Sequence, residues 1–260
     1  MSAFLHVFWD WNGTLLDDAW LCRDVMNTML RARAMPEMSA ERYMEIFDFP
    51  VQRYYERIGF DFARESFAEL GMEFIHGYEA RRHEAELYGD VRDSLQTLEA
   101  DGIPQSILSA YQHDTLVRLV EEKGLSPFFH DLHGHEDHYA AGKAPQGRRA
   151  LKELGIDPAG TLLIGDTAHD ADVAAELGMQ CWIIPGGNQP EARLRATGCP
   201  LLRSRREAVE RLRFVRGDAA VQRHPEKKPA AKAGGPFPTG EFRAARTAPA
   251  QGVAAGPAAD

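Results

Sequence analysis

The chain has 260 residues, of which 44% are hydrophobic, enough to bury one full domain with a smaller one beside it. Its 30 Lys and Arg against 39 Asp and Glu leave a net charge of -9, which excludes a basic nucleic-acid groove and suits a cytoplasmic protein. Three cysteines without CxxC spacing, Cys22, Cys181 and Cys199, exclude a disulfide framework and a zinc ribbon, and no apolar run approaches the roughly 20 residues of a membrane span.

Residues 4–9, FLHVFW, are aromatic and β-branched enough for a buried strand, and they stop at Asp10. The stretch lacks a cationic flank and meets an acid too early for a signal peptide, so it reads as the first strand. Residues 17–88 show no strand pattern and are predicted to be all helix. Trp20, Leu21, Val25 and Met29 fall at helical spacing, Pro50 and Gly59 bracket a short helix, and Phe67, Leu70, Phe74, Ile75 and Tyr78 mark a longer one.

From residue 89 the rhythm alternates. Asp90 can cap a helix whose Val91, Leu95 and Leu98 share a face before Gly102 ends it, and QSILSA (105–110) follows as a strand. Asp114 can cap a second helix that Gly124 closes, and Pro145 opens a third that Gly155 closes. TLLIGD (161–166) and CWIIPG (181–186) are further apolar runs closed by Asp or Gly. Strands separated by helices of this length imply βαβ units, hence an α/β fold: a Rossmann-like parallel sheet core, 1–16 and 89–215, carrying an inserted all-helical cap, 17–88. Residues 216–260 are rich in Ala, Pro and Gly and are expected to be disordered.

An insert directly after the first strand lies over the strands' carboxyl ends, where such sheets bind ligands. Asp10, Ser109, Lys143, Asp166 and Asp170 all fall at points that a parallel sheet brings to that edge. Each also has an ordinary role. Asp166 or Asp170 can cap the next helix, Ser109 can end its strand in a turn, and Lys143 can be a solvated loop lysine.

Together these residues resemble the four motifs of haloacid-dehalogenase-superfamily phosphatases of the phosphoglycolate-phosphatase-like kind, with a C1-type helical cap. The resemblance covers residues 4 to about 205. Asp10, Trp11, Asn12, Gly13 and Thr14 match DxDGT except at the second acid; Ser109 matches the strand-terminal Ser or Thr, Lys143 the lysine motif, and Gly165, Asp166 and Asp170 the GDxxxD motif. The resemblance implies Mg2+ held by Asp10, Asp166 and the backbone carbonyl of Asn12, with Asp170 beside them to orient water or Lys143. It implies attack on phosphorus by Asp10, giving an aspartyl phosphate. Gly13, Thr14, Ser109, Ala110 and Lys143 would bind the transferring group, the backbone N–H groups near Gly13 included.

Asn12 is the departure. In the family the second acid protonates the leaving group and later activates water, and losing a positioned acid/base lowers a rate by about 10² to 10⁴. A Schiff-base route is closed to the cap, since the chain has no lysine before Lys123. Metal-free dehalogenation is disfavoured by Asp166 and Asp170, and a mutase would need the missing acid. Three routes remain: a leaving group acidic enough to depart unprotonated, such as an acyl phosphate; a cap histidine, His76 or His83, as a substitute; or ligand binding with slow turnover.

The stretch HDLHGHEDH also gathers His130, His133, His135 and His138, side chains that suit zinc, although no cysteine joins them. In the cap, Arg53, Tyr54, Tyr55, Arg57 and Gly59 are candidates for substrate selection, with Arg53 in particular for an anionic group. At i, i+4 spacing, Arg53 and Arg57 equally suit a solvated face. The expected function is a Mg2+-dependent phosphatase of a small phosphorylated metabolite, a phosphoglycolate-like monoester or an acyl phosphate, with no nucleic-acid or membrane partner. The alternative is a catalytically attenuated phospho-ligand-binding regulator.

Overall fold

The computed structural model describes residues 6–135 and 142–223. Its strands in chain order are β1 (His6–Trp9), β2 (Leu16–Asp17), β3 (Glu86–Leu87), β4 (Gln105–Gln112), β5 (Asp131–His135), β6 (Thr161–Gly165) and β7 (Gln180–Ile183). The helices are α1 (Ala19–Ala32), α2 (Ala40–Ile46), α3 (Val51–Ile58), α4 (Phe67–Arg81), α5 (Val91–Ala100), α6 (His113–Glu122), α7 (Ala144–Leu154), α8 (Ala168–Leu177), α9 (Glu191–Ala196) and α10 (Arg205–Arg223).

Five strands form one parallel sheet in the order β5-β4-β1-β6-β7. β1 lies at its centre, with Trp9 beside Ile107 of β4 and Ile164 of β6. After β1 the chain builds outward through β4 and β5, then returns to the other side for β6 and β7. The crevice at this switch point opens at the carboxyl ends of β1, β4 and β6.

Side chains alternate across the sheet and divide its core in two. Val7, Trp9, Ile107 and Ile164 pack with Leu95, Leu98, Leu116 and Leu212 on one face, while Phe8, Leu108 and Leu163 pack with Ala150, Leu151, Val173 and Leu177 on the other. A separate cluster of Met26, Leu30, Tyr43, Tyr54, Tyr55 and Leu70 holds α1 to α4 together.

Four details depart from the sequence expectations. The insert is bracketed by a two-residue antiparallel pair, Leu16 beside Leu87 and Asp17 beside Glu86, too short to show an alternating pattern. β4 runs on to Gln112 after a register irregularity beyond Leu108. Gln112, not Asp114, caps α6, its side-chain oxygen accepting from the Thr115 N–H at 2.8 Å. Finally, α10 continues to Arg223, past residue 215; the rest of the expected tail, and His138, lie outside the described residues.

Candidate active site

The carboxyl ends of the central strands bring the predicted acids together. Asp10 leaves β1 with its N–H donating to the Ile164 carbonyl at 2.8 Å, which pins it beside the end of β6. Lys143, at the N-cap of α7, donates from Nζ to Asp10 Oδ1 at 2.6 Å and also contacts Asp170 Oδ1. Thr14 Oγ1 donates to Asp10 Oδ2 at 3.2 Å and stands 3.5 Å from Asp166 Oδ1. Asp170 closes a capping box with Thr167, its Oδ2 accepting from the Thr167 N–H at 3.0 Å and hydroxyl at 2.7 Å. Capping the helix and meeting the lysine are therefore compatible roles for one side chain.

Two glycines make the approach possible. Gly13 has φ +73°, and a Cβ there would fall on the side chains of Asp166 and Asn188. A Cβ on Gly165 would likewise overlap the Asp170 carboxylate.

The cluster holds three carboxylates against one ammonium, with carboxylate oxygens of Asp10, Asp166 and Asp170 all within 4.8 Å of one another. Burial pushes the Asp10 carboxyl up to about 6 despite the opposing Lys143 charge. Burial, then the charges of Asp10 and Asp170, push Asp166 well above the usual carboxylate range. Burial acts against Asp170 too, but Lys143 and the Thr167 hydrogen bonds overcome it and hold that group low. Lys143 stays firmly protonated, since its two carboxylate partners outweigh its burial. Such an excess of hard, negatively charged oxygen suits a divalent cation. Asp10 and Asp166 fit that role; both Asp170 oxygens are already engaged by Lys143 and Thr167.

Asn12 belongs to a second buried network. Its Nδ2 donates to Asp18 Oδ2 at 2.7 Å and lies 3.1 Å from the Tyr78 hydroxyl, which itself donates to Asp18 Oδ2 at 2.6 Å. The Gly13 N–H donates to Asp18 Oδ1 at 2.8 Å and to the Leu16 carbonyl at 2.9 Å. That N–H, expected on the transferring oxygens, is therefore committed elsewhere. Burial pushes the Asp18 carboxyl up, against the hydrogen bonds from Tyr78 and Asn12. An amide at position 12 thus supplies a donor to a buried carboxylate where an acid would repel it.

Above the cluster lies a cavity of about 220 Å³, floored by Asp10, Asn12, Ser109, Ala110, Lys143 and Asp166. Ser109 Oγ accepts from the Tyr111 N–H at 3.1 Å, so it forms a turn and also faces the cavity. Cap residues Phe47, Phe49, Tyr54, Phe74 and Tyr78 form the roof. Thr14 and Gly13 sit behind this floor rather than lining it.

Several candidates lie elsewhere. Arg53 is exposed and does not line the cavity, because α3 turns Tyr54 and Tyr55 inward and Arg53 outward; Arg57 pairs with Asp48 at 2.9 Å. His76 and His83 are exposed and also absent from the lining. His133 stands 3.4 Å from Asp131 with Glu153 nearby, His135 pairs with Gln146 at 3.0 Å, and neither reaches the cavity.

Sequence reasoning passed over Asp18 and Asn188. Asn188 Nδ2 donates to Asp166 Oδ2 at 2.8 Å while its Oδ1 accepts from the Tyr43 hydroxyl at 2.9 Å. Its position just beyond β7, at the same sheet edge as the acids, was a usable signal; Asp18 offered none beyond following a second acid.

The profile of the haloacid dehalogenase-like hydrolases matches residues 4–178. No curated protein matches the chain. Among solved structures, a haloacid dehalogenase-like family hydrolase from Streptococcus pneumoniae superposes with a TM-score of 0.72 at 21% identity, over 81% of this chain and 99% of that one. A predicted phosphatase from Clostridium acetobutylicum gives 0.70 at 17% identity, over 81% and 99%. A predicted phosphoglycolate phosphatase from Haemophilus somnus gives 0.66 at 16% identity, over 81% and 98%. These likenesses concern the fold.

Proposed function

The chain belongs to the haloacid dehalogenase-like hydrolases, and on that footing we propose that it is a Mg2+-dependent phosphatase of a small phosphorylated metabolite, acting through Asp10. The observation that carries this reading is the buried Asp10–Lys143 pair, 2.6 Å apart, which lines the floor of the cavity with Asp166. A carboxylate so held is aimed at a bound phosphoryl group, and the Lys143 ammonium lies where it can also offset the charge of the transferring oxygens.

Asp10 and Asp166, with the Asn12 main-chain carbonyl, are the residues that would hold Mg2+, and the ion would offset repulsion between the phosphoryl group and Asp10. Thr14 steadies the second Asp10 oxygen and Asn188 steadies Asp166. Ser109, which lines the cavity floor, would bind a phosphoryl oxygen through its hydroxyl. Thr167 and Lys143 fix Asp170, which in turn fixes the lysine.

The test is release of inorganic phosphate from a panel of phosphomonoesters and acyl phosphates in Mg2+, with Asp10→Ala as the blank. Release above the blank supports the phosphatase. Binding of phosphorylated ligands without release from any of them favours the regulator, a reading that Asn12 keeps open.

A further inference from the structure

The cavity carries a chemical preference of its own, one that rests on the phosphatase reading. Its roof is aromatic in two groups. The Phe47 ring lies 5.3 Å from Tyr54 and 5.5 Å from Phe49, and Phe49 stacks on His169 at 4.5 Å. In the second group, Phe74 stacks on Tyr78 at 6.2 Å. Burial and the Lys143 charge push the His169 imidazole below its ordinary value. The Tyr54 hydroxyl is buried without a hydrogen-bond partner among the described residues, an unsatisfied group that a bound molecule could complete.

Charge narrows the choice further. Among the described residues, Lys143 is the one Lys or Arg lining the cavity, and Asp10 and Asp170 already engage it. On the cap side the carboxylates in the lining are Asp18 and Glu79, and Glu79 is paired at 2.9 Å with Arg82, which does not line the space. A leaving group bearing a carboxylate or second phosphate would meet carboxylates and rings, with no further Lys or Arg among the described lining residues to receive it. Volume agrees with a single ring: an apolar cavity of roughly 150 Å³ takes a benzene molecule, and this one measures about 220 Å³ with a phosphoryl site at its floor.

Asn12 supplies an independent reason. With an amide in place of the acid, the leaving oxygen departs unprotonated. A phenol, with a pKa near 10, is about six orders of magnitude more acidic than water, near 15.7, so its oxygen leaves without a proton more readily than that of an alcohol. We propose that this cavity selects a phenolic leaving group, the substrate being a small aryl phosphate monoester with no second charge. An Asp10 carboxylate oxygen forms the new bond to phosphorus as the phosphorus–aryl oxygen bond breaks, its electron pair leaving on the aryloxide. Water then displaces the Asp10 carboxylate from phosphorus. One water proton stays on the phosphate and the other ends on the aryloxide, giving phenol and hydrogen phosphate.

The experiment has a kinetic and a binding arm, both with the full chain in Mg2+. The kinetic arm compares kcat/KM for phenyl phosphate, 4-carboxyphenyl phosphate and phosphoglycolate; the binding arm compares phenylphosphonate with methylphosphonate by calorimetry. Phenyl phosphate is expected to exceed the carboxylated ring by at least about 10-fold, and phenylphosphonate to bind at least about 10-fold more tightly than methylphosphonate. Ile75→Lys, which adds a cation to the lining, should narrow the first ratio, and Phe74→Leu the second. Faster turnover of phosphoglycolate than of phenyl phosphate overturns the aryl inference and leaves the phosphatase standing. Equal affinity for the two phosphonates overturns the aryl inference whether or not any ester is turned over, whereas an absence of turnover above Asp10→Ala bears on the phosphatase reading alone.

Discussion

A carboxylate at position 12 would stand about where the Asn12 amide now donates, 2.7 Å from Asp18. Asn12→Asp alone therefore places two buried acids in contact, which share a proton or repel. We expect it to lower stability by roughly 1–3 kcal/mol, and Asn12→Asp with Asp18→Asn to restore most of the loss, as read by urea unfolding. An additive pair of losses would show that the two side chains do not interact. The double variant should also speed alkyl phosphates by up to about 10² to 10⁴ relative to the native chain, by restoring an acid. The departure at Asn12 was legible in the sequence because a motif frames it. Its reason was not, because no spacing rule predicts that Asp18 folds back onto it.

Asp10 and Asp166 give the site a pH signature. Burial raises both above their unfolded values, so in the metal-free protein the folded state holds protons that the unfolded state has released. Stability contributed by these groups accordingly falls as pH rises from near 4 through about 6 and beyond. A divalent cation binds the ionised carboxylates and reverses this. Mg2+ should raise the unfolding free energy at pH 8 by up to about 2.7 kcal/mol at a hundredfold excess over its dissociation constant, and by much less at pH 5. An equal effect at both pH values would detach the cation from these acids.

At the scale of elements, tyrosine hydroxyls brace the insert internally and join it to the sheet edge. Tyr78 on α4 donates to Asp18, and Tyr43 on α2 donates to Asn188 beyond β7. Tyr78→Phe removes one of these ties and leaves the buried Asp18 oxygen with fewer donors, which should lower stability by about 1–2 kcal/mol and raise KM; an unchanged Tm and KM would show that the contact is dispensable. Arg53→Ala, on the outer face of α3, should change kcat/KM by less than about twofold. The long strands and helices could be read from the sequence because apolar runs ended in Gly, Pro or Asp. β2 and β3 are two residues each and carry no periodicity, and the cap of α6 fell to Gln112 because β4 runs farther than its apolar stretch. The inward face of α3 was already present in Val51, Tyr54, Tyr55 and Ile58, a pattern that sets Arg53 outside.

For the whole molecule, the strand order turns scattered residues into one site. β1 at the centre with β4 and β6 beside it places Asp10, Ser109 and Asp166 on one edge, and the insert between β1 and β4 roofs them. This much follows from an apolar first strand, an interrupting helical segment and a return to alternation. The aromatic character of the roof was present in the sequence as well, but helical spacing alone reads Phe74 and Tyr78 as packing; their place over the acids depends on how four helices assemble. Among the described residues no helix is long and apolar enough to cross a membrane.

The central claim is that Asp10 takes the phosphoryl group, and Asn12 makes that step easy to observe, since the acid that would speed hydrolysis of the intermediate is absent. Rapid mixing of the native chain with phenyl phosphate in Mg2+, followed by acid quench and mapping of the phosphoryl group, tests it directly. We expect a burst of phenol approaching one per chain, with the phosphoryl group on Asp10 and neither burst nor label in Asp10→Ala. Phenol release that is linear from the first turnover, with no phosphoryl group on Asp10, would contradict the account.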